Sequence, residues 1–269
     1  MSYNNNGFKK FVLSISGLLL ITFLVSSVLL LSRIDEVLGG SSSNQINSEP
    51  DRTPEEQQIF DNLPESTKYR LRRSSTDYQI ELFEILVHAH DSFQENNTTS
   101  NLEDYGGAIV RNFIADFFTL SNKESRTDVG GLQFFSEDLV DNFKNFAIDD
   151  FYLYLNQHIT AFGSEALPTV SSTTILDVGF EPRTIPIREG DDESEEITLV
   201  YNEFWEVIGQ EIMTIVIDAQ WSYESSSLLS IEQFQTTARF VLVQYENDVK
   251  IYAIELVPEE DEGEWAFPG

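Results

Sequence analysis

Three histidines, no cysteine and a few acids near tyrosines are what this sequence offers for chemistry. His88 and His90 are two apart, so they face different sides of a helix and do not make an i,i+4 metal pair. His158 falls beside an apolar stripe and reads as structural. Asp218 with Tyr154 is a conceivable proton-transfer pair, an acid beside a phenol. No motif fixes either residue. The sequences G-x-S-x-G and H-E-x-x-H and the phosphate-loop pattern are all absent. Gly130-Gly131 lacks the preceding strand a phosphate loop needs, and the acidic run 190–196 lacks calcium-loop spacing and reads as a solvated hairpin tip. Without cysteine there are no disulfides, thiolate metal sites or Cys nucleophile. The expectation is a protein with no catalytic, cofactor-binding or metal-binding residues, no cofactor and no small-molecule substrate.

Charge narrows the partners. The formal net charge is -30, and residues 1–32 hold only Lys9 and Lys10, so residues 33–269 carry -30 minus 2, or -32. So acidic a body disfavours direct nucleic-acid binding, which needs clustered Lys and Arg. Against it stands one basic cluster in residues 66–75: Lys68, Arg70, Arg72 and Arg73. It reads as a contact for anionic lipid heads or an acidic partner, or as a solvated stretch balancing local acids. In the acidic C-terminal tail, Trp265 and Phe267 could pin the tail to the body or to a partner.

The element that must position everything else is Phe11–Ser32. It contains Phe11, Leu18, Leu19, Leu20, Phe23, Leu24, Leu29, Leu30 and Leu31, with no charge and no proline. Its roughly 22 residues match a bilayer's hydrocarbon core of about 30 Å. The core is longer than a signal peptide's and no A-x-A-like site follows, so an uncleaved transmembrane helix is expected. Lys9 and Lys10 before it, against Arg33, Asp35 and Glu36 after it, place the N-terminus inside and the body outside a bacterial cytoplasmic membrane. The expected layout is a tail at 1–10, the helix at 11–32, and a linker at 33–75. That linker holds a flexible tether over 38–52 and a short helix opening at Thr53. An α+β domain at 76–258 and an acidic tail at 259–269 complete the layout.

Within the body, apolar spacing predicts helices over Asp77–Ser92, Gly107–Leu120 and Ser136–Phe162, the last being the longest, with a polar loop over 94–103. After Pro168 the period becomes two. Strands are predicted at 170–178, 184–188, 197–201, 211–223, 234–245 and 249–257. In the fourth, Met213, Ile215, Ile217, Ala219, Trp221 and Tyr223 share one face. Helices first and antiparallel strands after indicate an α+β fold with about three helices on a curved sheet.

The anchor and tether, the segment FIADFFTL at 113–120, the loop Val129-Gly130-Gly131-Leu132 and the run FYLYLNQHITAFGSEALPTV at 151–170 form a pattern. It resembles the bitopic scaffold subunits of bacterial conjugation and type IV secretion machines, particularly TcpC-type proteins. The resemblance implies a cystatin-like (nuclear-transport-factor-two-like) outer domain without catalytic residues. Its partners would be other secretion-channel membrane subunits and itself. TcpC-type proteins often carry two such domains, and this chain has room for one. The function expected is a non-enzymatic, membrane-anchored assembly subunit of a conjugative DNA-transfer channel. The alternatives are an extracytoplasmic sensor or interaction module, or a small-ligand-binding domain of the same fold.

Overall fold

The computed structural model describes residues 66, 68–185, 198–201, 207–224, 234–245 and 247–257. The anchor at 11–32, the tether, the helix start at Thr53, the acidic run 190–196, and Trp265 and Phe267 lie outside these residues. Among the described residues, no helix is long and apolar enough to cross a membrane.

Helices precede strands and the fold is α+β. Helix α1 spans Asp77–Glu95 and opens on a capping box, in which the Thr76 side chain accepts from Gln79 N–H and the Gln79 side chain accepts from Thr76 N–H. Helix α2 spans Thr99–Phe118. It starts eight residues before the predicted Gly107, because Thr98 accepts a hydrogen bond from Asn101 N–H at 3.2 Å and caps a polar first turn. That turn carries little apolar signal, which is why it read as a loop. Further along α2, Ile109, Val110, Phe113, Ile114, Phe117 and Phe118 are all buried.

The predicted helix over 136–162 is broken in three. Helix α3 spans Glu137–Phe146, a π-turn covers Ala147–Phe151, and helix α4 spans Leu155–Phe162. Packing explains the break. Phe151 stacks on Phe117 with centroids 4.6 Å apart, and the next residue, Tyr152, stacks on the same ring at 5.3 Å. Tyr152 also donates to Phe117 O at 2.6 Å. Regular helix turns consecutive residues about 100° apart; the wider turn, closed by Tyr152 N–H to Ala147 O at 2.6 Å, aims both rings at one target.

Five strands follow: β1 (Val170–Ile185), β2 (Thr198–Tyr201), β3 (Val207–Tyr223), β4 (Thr237–Tyr245) and β5 (Asp248–Glu255). The sheet is antiparallel in the order β1-β3-β4-β5, with β2 also paired to β3. As far as the described residues reach, the strands predicted at 170–178 and 184–188 are one, running to Ile185, since Gly179 and Pro182 do not break it. Strand β1 pairs on one side only among the described strands, and an edge strand tolerates the missing proline N–H. Register shifts around Ser171 and Leu176 bend it.

The helices cover the sheet face bearing Ile215, Ile217, Ala219, Trp221, Phe240 and Leu242. Met213 has the same parity, yet it is 61 % exposed, because β3 outruns the helical layer. On the opposite face Val216, Val241 and Val243 are buried too. An ion pair shows how this comes about. Arg183 on β1 lies 3.3 Å from Glu255 on β5. In a flat sheet their positions would stand roughly 25 Å apart, at about 4.8 Å per strand and 3.3 Å per residue. The sheet therefore curls, carrying the far end of the β1–β3 ribbon across this second face.

Candidate functional site

The basic segment 66–75 is a strap, packed into the domain at two docks. At the first dock, Lys68 Nζ donates to the Tyr105 hydroxyl at 2.9 Å, pairs with the Asp248 carboxylate, and lies 5.4 Å and 5.5 Å from the Tyr69 and Tyr105 ring centres. Burial lowers the Lys68 pKa, against the pull of Asp248. Tyr69 is buried in the main core and its hydroxyl bonds that of Tyr105. Burial pushes both phenols well above their ordinary range. His90 stands edge-on to both rings and 3.2 Å from Asp91.

The second dock holds the strap on α2. Arg72 meets Asp116 at 3.1 Å, the Asp128 carboxylate, and Val129 O at 2.8 Å. Beneath it Lys123, whose side chain is 0 % exposed, donates to Asp116 O at 2.6 Å and lies 3.2 Å from Asp116 Oδ1 and from Asn122 Oδ1. Gly131 N–H gives Asp116 Oδ2 a further bond at 2.7 Å. Burial works to raise the Asp116 pKa, but Lys123, Arg72 and the Gly131 N–H outweigh it and hold the carboxyl below its usual value. Burial pulls the Lys123 ammonium down, with Asp116 opposing. The Gly-Gly pair is what lets the loop close on Asp116. A Cβ on Gly130 would stand 2.3 Å from Asp116 O, and Gly131 has φ 75° with Phe113 2.5 Å from any added Cβ.

The four basic residues thus divide. Lys68 and Arg72 are half-buried and paired with acids, while Arg70 and Arg73 are exposed. Arg70 is tied through its backbone to the Gln133 amide at 3.0 Å and 3.1 Å. In the sequence Asp116 and Lys123 carry no motif, and Asp128 reads only as part of a loop. The available signal was an acid inside the apolar run Phe113–Phe118, followed by a lysine and a Gly-Gly pair.

Each of these polar groups is tied to another part of the same chain. Between the strap and α1 and α2 lies a cavity of about 20 Å³, lined by Arg70, Arg72, Gln79, Asn112 and Asp116 among others. That is room for one water. Asp218 and Tyr154 do not come together. Asp218 lies on the face away from the helices, held by Arg239 through bonds of 2.7 Å and 2.8 Å. Tyr154 sits at the start of α4. His88 is exposed, and His158 is half-buried with its pKa lowered by burial. Among the described residues, no group of three or more His, Asp or Glu is placed to hold a metal ion.

The chain matches no family model, and comparison with curated proteins and with solved structures finds no similar protein or fold.

Proposed function

We propose that this protein is a non-enzymatic assembly subunit: a membrane anchor at 11–32 carrying an acidic α+β body that binds neighbouring chains through its sheet. The carrying observation is the far end of the β1–β3 ribbon. Phe180 is 38 % exposed and Met213 61 % exposed, on register pairs next to each other (Phe180 with Ile215, Pro182 with Met213). Contiguous apolar side chains on a projecting ribbon are the surface chains use to join. In the finer reading the body is cystatin-like and the assembly is a bacterial conjugative channel. That reading rests on the anchor-tether-body layout and the FIADFFTL and Val-Gly-Gly-Leu pattern.

The test is crosslinking in intact cells followed by native electrophoresis, with DNA transfer scored in a deletion strain. Capture in a large membrane complex, lost in a Phe180→Asp, Met213→Asp double variant, is the expected result. Recovery only as a free monomer sinks the assembly reading. Normal DNA transfer in the deletion strain sinks the conjugation reading alone.

A further inference from the structure

Arg111 is the odd charge of the helical layer. Its Nε is buried with no hydrogen-bond acceptor. Among the described residues no acid pairs with its guanidinium, although the body carries a net -32. A buried guanidinium N–H left unpaired costs free energy and calls for a partner.

Its place follows from α2. A Cβ on Gly107 would lie 3.8 Å from Ile175 of β1. Arg111 is one turn further along the same side of the helix. From α1, Tyr78 reaches β1 by a 2.7 Å bond to Thr173. Ile85, two turns along the same face of α1, is 40 % exposed, and Leu176, the bulge residue of β1, is 52 % exposed. A furrow therefore runs between α1 and the free edge of β1. Ile85 lies on one of these elements and Leu176 on the other, and Arg111 lies on α2, which packs against both. The edge adds backbone donors and acceptors that no described strand uses.

We propose that this furrow receives the chain's own C-terminal segment, Pro258–Gly269, as an added extended strand. One of its carboxylates takes the Arg111 guanidinium, and Trp265 and Phe267 cover Ile85 and Leu176. Reach favours this occupant. The 3.3 Å pair between Glu255 and Arg183 brings the last described residues beside β1. From Arg183 back to Ile175 is about 26 Å of extended strand, and the segment spans up to about 40 Å. Charge favours it as well: Glu259, Glu260, Asp261, Glu262 and Glu264 precede Trp265. Strand addition of this kind takes affinity from main-chain bonds and specificity from side-chain pockets.

Hydrogen exchange of the 174–180 amides tests it, using the full chain in detergent micelles against a chain ending at Val257. Truncation should speed exchange there about tenfold or more, and a synthetic peptide of residues 258–269 should restore protection saturably. Arg111→Gln should weaken that peptide about tenfold, the scale of a lost charge-assisted bond. Trp265→Ala in the peptide, which puts no fold at risk, should weaken it too. Equal protection in full and truncated chains overturns the proposal, as does equal peptide affinity in either variant. Protection that grows with protein concentration also overturns it, because the segment would then be reaching another copy.

Discussion

With its side chain 0 % exposed, Lys123 depends on Asp116 for its charge. Removing one partner of a buried pair strands the other, at a cost of about 3–5 kcal/mol, whereas an apolar replacement of the buried ion itself is often tolerated. Asp116→Asn should therefore destabilise by that amount in urea unfolding. Lys123→Met should cost far less, since Arg72 and Gly131 still serve Asp116. Gly131→Ala should cost about 2 kcal/mol or more, because it combines a left-handed φ with a clash against Phe113; thermal melts read it directly. The depressed Asp116 pKa adds a pH dependence of definite sign. Between its folded pKa and the unfolded value near 4, the unfolded chain binds more protons, so stability rises with pH. Its contribution is complete above about pH 5 and is lost as the pH falls through the acid range. Wild type should thus lose stability more steeply than Asp116→Asn below about pH 5.

Among the elements, the strap departs most from its appearance in sequence. Its charges read as surface or linker, yet Tyr69 is 3 % exposed and Arg72 reaches three acceptors. A chain starting at Thr76 should be less stable than one starting at Ser66 by about 3 kcal/mol or more, from the lost burial of Tyr69 and the loss of Arg72 from Asp116 and Asp128. Comparing their urea midpoints checks this. A different limit applies to the long helix over 136–162. Its apolar spacing was legible, but the π-turn was not, because the demand for it comes from Phe117, some 30 residues away in sequence. On β1, proline and glycine read as breaks, and only the strand's place at the edge made Pro182 harmless.

For the molecule as a whole, self-repulsion is the dominant long-range term. The local pairs at Arg72, Lys123 and Arg239 are short and partly buried, so salt screens them less than it screens the diffuse charge. Raising salt from about 10 mM to about 150 mM should therefore raise the melting temperature, as the Debye length falls from about 30 Å to about 8 Å. A fall would mean the ion pairs outweigh the repulsion. The curl of the sheet belongs to this scale as well. It buries valines on the second face and leaves Phe180 and Met213 on the ribbon's other side.

Sequence alone determined the order and type of the main elements, the helix-facing parity of β3, and the acidity of the body. Each of these is written in local spacing or in a simple count. Tertiary structure decided which charges were surface and which were paired, because whether Lys68 or Arg72 meets an acid depends on residues tens to nearly two hundred positions away. It likewise decided the curl that joins Arg183 to Glu255 and the furrow that leaves Arg111 unpaired. Periodicity specifies which face of an element is buried, but only packing specifies what that face is buried against.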